Sequence, residues 1–229
     1  GSGSIRCGAR SPGRPPTLTS SEMAARLVSN ARAVLLDFDG PICSVFAGYR
    51  AHEVAAEIIK RAATAGFALQ PDDPDDPISV FKATRGMDAR AIAAVEEALI
   101  DEESTALSRT TPHPGIPELL RQLRTAGHRL VIVTNNGAGP VSTFLDQHGL
   151  AAEIEKVFGR QPGQPMLLKP SPASVICALS HLDIPPAAAV FVGDSTSDVR
   201  AGHAGGVPVI GYANWNSSCM AGPDVAGGV

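Results

Sequence analysis

The sequence predicts an α/β fold: a Rossmann-like, doubly wound parallel sheet with an α-helical cap inserted into it. Three observations carry this expectation. From residue 31 onward, short apolar runs alternate with amphipathic stretches of helical length. That rhythm breaks once, between Pro41 and Gly115, where helical pattern continues without any strand pattern. Finally, carboxylates, amides, hydroxyls and one lysine follow the apolar runs, at the end of the strands where open parallel sheets bind ligands. Strand, helix, strand repeated in this way implies a sheet covered on both faces.

In chain order, residues 1–30 read as a mobile N-terminal tail and a short helix. Gly1 to Ser4 resemble an expression scar, and Arg6, Arg10 and Arg14 stand among Ser, Pro and Gly, a composition that does not pack. Residues 31–43 and 113–229 form the core domain, and residues 44–112 the cap domain. Strands are expected at Ala33 to Phe38, Arg129 to Val133, Lys156 to Phe158, Ala188 to Val192 and Val207 to Ile210. Core helices are expected at 116–126, 140–149, 172–182 and 196–204. The cap should hold helices at roughly 45–65, 78–98 and 99–109, with "PDDPDDP" at 71–77 as a loop, because Pro removes donors and Asp favours turns. After the fifth strand a further helix would be needed to pack on the sheet, and "NSSCMAGPDVAGGV" does not supply one.

Composition narrows the function classes. At 229 residues and 44% hydrophobic, the chain can bury a full core and a small second one. No stretch approaches the ~20 apolar residues of a membrane helix, nor is there the apolar centre of a signal peptide, so a soluble protein of the cytoplasm with no membrane partner is expected. Cys7, Cys43, Cys177 and Cys219 are scattered and read as reduced thiols. A net charge of -4 with 4% aromatic residues argues against nucleic acid as a partner. A dinucleotide-binding loop would rest on Gly137 and Gly139 alone, with Ser142 where a third glycine belongs.

The chemistry centres on "AVLLDFDGPI" at 33–42. Four apolar residues run into Asp37, and Asp39 follows two residues on. Positions i and i+2 of an extended segment share a face ~6 to 7 Å apart, so both acids can flank one reacting group. Two acids at the exit of a buried strand need a positive charge between them. Candidates follow the other strands: Thr134, Asn135, Asn136 and Gly137 after "RLVIV", Lys169 before "PSP", and Asp194 and Asp198 after "VFVG". Pro140 is expected to open the helix after Thr134, and Pro172 the helix after Lys169. Asp198 would fall in the first turn of its helix, where the dipole favours an acid. Each feature alone is ordinary turn chemistry. Together they are the inventory of a Mg²⁺ and phosphate site, since Mg²⁺ takes a few carboxylate oxygens and keeps some waters.

"DFDGP" at 37–41, "TNN" at 134–136, "KPSP" at 169–172 and "GDSTSD" at 193–198 resemble, in order, the four motifs of the haloacid-dehalogenase-like (HAD) superfamily, over residues 33 to 212. The insertion resembles the helical cap of phosphoglycolate-phosphatase-like members. The resemblance implies Mg²⁺-dependent hydrolysis of a small-molecule phosphomonoester through an aspartyl-phosphate. Asp37 would be the nucleophile and Asp39 the general acid and base; Thr134 and the Asn135 backbone would bind the phosphoryl group, and Lys169 would neutralise charge. Metal ligands would be Asp37, the Asp39 carbonyl and Asp194, with Asp198 supporting the metal or Lys169. Dehalogenase members lack an acid at the position of Asp39, so phosphate-ester chemistry is favoured. Cap residues Tyr49, Arg50, His52, Lys82 and Arg85 are candidates for contacts to the leaving group, Arg50, Lys82 and Arg85 as substrate-binding cations. A phosphomutase acting on a sugar phosphate, or a non-catalytic or receiver-like phosphate-binding module, stays open as an alternative, as does monomer or homodimer.

Overall fold

The structure is a computed structural model describing residues 19–212. The expected tail up to residue 18, Cys7, Cys219 and the segment after the fifth strand lie outside the described residues. Helix α1, Ser20–Asn30, opens with a capping box at "TSSE": the Thr19 hydroxyl accepts from the Glu22 N–H, and the Glu22 carboxylate accepts from the Thr19 N–H.

Five parallel strands form one sheet: β1 (Ala33–Leu36), β2 (Arg129–Val133), β3 (Lys156–Phe158), β4 (Ala189–Gly193) and β5 (Val209–Gly211), in the order β3-β2-β1-β4-β5. The chain builds outward from β1 through β2 to β3, then crosses back to β4 on the other side of β1. That reversal opens a crevice beyond the strand ends beside β1. β1 is central and fully buried, and its alternating side chains serve two cores. Val34 and Leu36 pack with Leu130, Ile132, Val190 and Phe144, while Ala33 and Leu35 pack with Val131, Val133, Phe191 and Val175. The strand ends two residues before the expected limit, and Phe38 nevertheless lies in the core, edge-on to Phe144 at 5.3 Å between ring centres.

Between β1 and β2 run α2 (Ala51–Thr64), α3 (Pro77–Lys82) and α4 (Ala89–Leu107). Val54, Ile58, Val80, Phe81, Val95 and Leu99 form a third apolar cluster joining these helices. The expected helix break at residues 98 and 99 is wrong: α4 runs through it unbroken. The break lies instead at residues 83–88, where Gly86 takes φ 79° and Asp88 caps α4 by accepting from the Arg90 and Ala91 N–H groups. A left-handed glycine followed by an Asp cap stops one helix and starts the next.

The remaining helices are α5 (Ile116–Thr125), α6 (Ala138–Gln147), α7 (Ala173–Leu182) and α8 (Thr196–Ala204). Three expected helix starts shift, the first inserted helix beginning at Ala51 rather than near residue 45. Pro140 is the third residue of α6 rather than the first, because the helix begins after Gly137. Pro172 is the N-cap of α7 and Ala173 its first residue. Among the described residues, no helix is long and apolar enough to cross a membrane.

Candidate active site

Strand register assembles the site. Leu36 pairs with Ile132 on one side and Val192 on the other, so Asp37, Thr134 and Asp194 leave the sheet at neighbouring levels. The Asp37 N–H donates to the Val192 carbonyl at 2.8 Å, which holds the first acid at the strand end. The chain then turns at Gly40, with φ 95°, against Asp194; a Cβ at Gly40 would lie 2.1 Å from Asp194 Oδ2. Gly193 has the same function beside Asp198, whose Cβ would be 2.4 Å from any Cβ there. Only glycine lets these two carboxylates approach the backbone so closely.

Lys169 is almost wholly buried, and its ammonium donates to Val133 O at 3.2 Å and to Asp198 Oδ1 at 2.5 Å, with Asp37 Oδ1 at 2.8 Å. Its backbone is clipped to Asn135: the Lys169 N–H donates to Asn135 Oδ1 at 2.8 Å, and Asn135 Nδ2 donates back to Lys169 O at 3.3 Å. Asp198 is the third residue of α8 and part of a capping box, its Oδ2 accepting from the Ser195 N–H and hydroxyl. Both Asp198 oxygens are therefore engaged by protein donors. Asp39 Oδ1 accepts from the Val45 N–H at 2.9 Å, which fixes that carboxyl over the same crevice.

One lysine does not balance this many acids. Burial pushes Asp37 up to about 7, Lys169 acting downward and Asp198 upward. Burial likewise raises Asp194 to about 6, with Asp198 and Asp39 adding to it. Asp39 is raised, also by burial. For Lys169, burial disfavours the charge, but Asp37 and Asp198 outweigh it and raise its pKa. Raised carboxylates mark a site short of positive charge. Asp37, Asp194 and Asp198 each offer an oxygen within 4.8 Å of the others. Hard oxygen donors around a cation-poor point suit Mg²⁺. With Asp198 committed to Lys169 and Ser195, Asp37 and Asp194 are the carboxylates best placed to reach an ion.

These groups line a cavity of about 460 Å³. Asp37, Asp39, Thr134, Asn135, Asn136, Lys169, Asp194, Ser195 and Ser197 form its floor, and Phe46, Ala51, Asp76, Pro77, Ile78 and Lys82 its opposite wall. Of the three expected substrate-binding cations, the structure brings in Lys82 alone. Arg50 does not line the cavity: it pairs with Glu53 at 3.1 Å, one turn along, on the solvent face of α2. Arg85 is also outside it, exposed in the turn after α3, whose last residue is Lys82. His52 is exposed, and Tyr49 lies under the Arg109 guanidinium at 5.4 Å, neither lining the cavity. Burial lowers the Lys82 pKa, Asp76 opposing.

A second polar cluster, which the sequence reading missed, stands behind the Thr134–Gly137 turn. Glu103 of α4 and Arg160, both buried, face each other with Nη1 to Oε1 and Nη2 to Oε2 distances of 3.0 Å each. In sequence Glu103 is one of several acids in a helical stretch and Arg160 one cation in "GRQPG", and nothing in their spacing links residues 57 apart.

A family model described as haloacid dehalogenase-like hydrolase matches residues 76–212, which includes three of the four motifs and excludes the Asp37 to Pro41 stretch. A phosphoglycolate phosphatase of Pseudomonas putida is 29% identical over 207 residues, 87% of this chain and 70% of the relative. One of Rhodospirillum rubrum is 33% identical over 159 residues, 69% of this chain and 60% of the relative. Among solved structures, CbbY from Rhodobacter sphaeroides in complex with phosphate superposes with a TM-score of 0.58 at 21% identity, covering 78% of this chain and 84% of that one. A HAD-superfamily hydrolase from Ehrlichia chaffeensis gives 0.53 at 20% identity, covering 80% and 88%. At such identities the superpositions carry the fold.

Proposed function

The chain belongs to the haloacid dehalogenase-like hydrolase family, and we propose that it is a Mg²⁺-dependent phosphatase that cleaves a small phosphomonoester through an aspartyl-phosphate on Asp37. The observation that carries this reading is the pairing of Asp37, held by buried Lys169, with Asp39 on the same cavity two residues on. A dehalogenase has no use for the second acid.

In this reading an Asp37 oxygen attacks phosphorus. A P–O bond forms to Asp37 as the bond to the leaving alcohol breaks, and Asp39, whose burial favours its protonated form, gives that oxygen its proton. Asp39 then takes a proton from water, which attacks phosphorus, breaks the bond to Asp37 and releases inorganic phosphate. Thr134 and the Asn135 backbone hold the phosphoryl oxygens, and Lys169 keeps Asp37 in place while offsetting negative charge. Asp37, the Asp39 carbonyl and Asp194 would hold Mg²⁺, which when bound neutralises charge on the transferring phosphoryl group. Residues 44–112 would form a cap whose α3 wall supplies Lys82 to an anionic leaving group. That polarity, and the name shared by the relatives above, makes phosphoglycolate the first substrate to try. The inserted helices on the cavity wall disfavour a receiver-like module, which has no such cover.

The test is phosphate release from a panel of phosphomonoesters with Mg²⁺, beside EDTA-treated protein and Asp37→Asn, with mass spectrometry of the quenched enzyme. Mg²⁺-dependent release and a phosphoryl group on the Asp37 peptide are expected. Release that survives Asp37→Asn would discard the nucleophile.

A further inference from the structure

We propose that the buried Glu103–Arg160 pair is a positioning device that sets the phosphate-binding turn from behind and ties it to the helices inserted after β1. The inference rests on the reading of Thr134 and Asn135 as phosphate ligands. Neither side chain of the pair has measurable exposure, so it touches no substrate.

Two buried charges are no better for stability than apolar side chains of the same volume. What an apolar pair could not supply is the set of bonds these two make to the turn. Glu103 Oε2 accepts from the Gly137 N–H at 3.0 Å, and Oε1 from Asn136 Nδ2 at 3.2 Å. Arg160 Nη1 donates to the Asn135 carbonyl at 2.9 Å. The acid thus takes the turn's donors and the base takes its acceptor. The grip reaches the expected ligands directly. Asn136 Oδ1 accepts from the Thr134 hydroxyl at 3.0 Å, and the Asn136 N–H, in the same peptide plane as the Asn135 carbonyl, donates to Thr134 Oγ1 at 3.2 Å.

The other end of the device is in the insertion. Glu103 lies on α4, whose Val95 and Leu99 pack among the inserted helices and whose Ala106 and Leu107 pack in the sheet's core. The Arg160 guanidinium lies over the Phe81 ring of α3 at 5.2 Å, and its Nε is 3.4 Å from Glu96 Oε1. One rigid helix therefore carries the acid that aligns the turn. Because the pair is neutral as a whole and set back from the cavity, its removal should change the turn's orientation more than the charge a phosphate meets.

The experiment compares wild type, Glu103→Met/Arg160→Met and Arg160→Lys by thermal unfolding, by calorimetric binding of inorganic phosphate with Mg²⁺, and by kcat and KM on the best phosphomonoester. The double variant leaves no unpaired charge of the pair but strands the Gly137 N–H, the Asn136 amide and the Asn135 carbonyl, so it should fold with a Tm lowered by several degrees. Its phosphate affinity should fall by about tenfold or more, as for other lost supports of a binding shell, with KM rising more than kcat falls. Arg160→Lys keeps the charge but not the fork, and should lose affinity in the same direction. A folded variant with wild-type phosphate affinity and KM, changed only in Tm, overturns the proposal. Should the double variant not fold, Arg160→Lys decides by the same criterion. Wild-type protein that binds no phosphate overturns the functional reading and this inference with it, whereas wild-type binding with unaffected variants overturns the inference alone.

Discussion

At the residue scale the governing fact is that buried Lys169 spends its ammonium on Val133, Asp37 and Asp198, while Asp194 and Asp39 face the same cavity. An Asp held near 7 by burial is costly when ionised, so Asp37→Asn should leave the metal-free protein as stable as wild type or more so near pH 7.5. The same change should reduce kcat by at least about a thousandfold, since it removes the nucleophile. Unfolding and turnover on one preparation check both halves; a large loss of Tm would mean that Asp37 is chiefly a structural partner of Lys169. Lys82 allows a finer prediction. It is the one expected cap cation that lines the cavity, half-buried and with a lowered pKa. Lys82→Met should raise KM by several-fold to about tenfold for esters whose leaving group carries a carboxylate, and little for p-nitrophenyl phosphate, as expected for loss of one partly desolvated charge contact. Equal effects on both substrates would remove Lys82 from specificity.

At the scale of elements, the turn after β1 couples backbone to chemistry. Gly40→Ala would put a side chain into left-handed backbone and onto Asp194 at once. It should cost about 1 to 2 kcal/mol in stability from the backbone alone. Because Asp194 must move aside, it should also abolish most of the Tm gain from Mg²⁺, a shift measurable by thermal unfolding with and without the ion. Asp194 was legible in the sequence, as were the strands, because an apolar run ending in a polar cluster reports its own boundary and the parallel sheet aligns every such ending. β2 and β3 fall where the pattern puts them, and the others within two residues. The inserted helices were less legible. Their apolar spacing continues through residues 83–88, so the break there depends on Gly86 and Asp88, two local residues that the period does not weigh. Arg50 and Arg85 look like Lys82 in sequence, and only the direction each backbone position faces separates them. Glu103 and Arg160 were invisible because long-range polar pairing has no period.

For the whole molecule, the excess of buried acid couples stability to pH and to metal. Asp37 is raised to about 7 and Asp194 to about 6, both from an ordinary 3.8. Below 3.8 the folded and unfolded chains both hold these protons. Above it the unfolded chain releases them while the folded one keeps them, so each rise in pH favours unfolding, by at most about 1.4 kcal/mol per pH unit for each proton. The loss continues until the folded groups ionise near 6 and 7. Glu22 and Glu155, lowered by bonds from Thr19 and Arg129, work the other way as pH falls toward their own range, but both are near the surface. Metal-free protein should therefore be most stable on the acid side of neutrality, with Tm falling between about pH 5 and pH 7. Mg²⁺ binds the ionised carboxylates in competition with those protons, so its stabilisation must grow over the same interval. Thermal unfolding in EDTA and in saturating Mg²⁺ should show two curves that diverge as pH rises, with Asp37→Asn flattening the EDTA curve. A Tm in EDTA that rises through this interval, or a Mg²⁺ shift that is the same at both ends of it, would mean that the acids are balanced by the protein itself and that no ion is required among them.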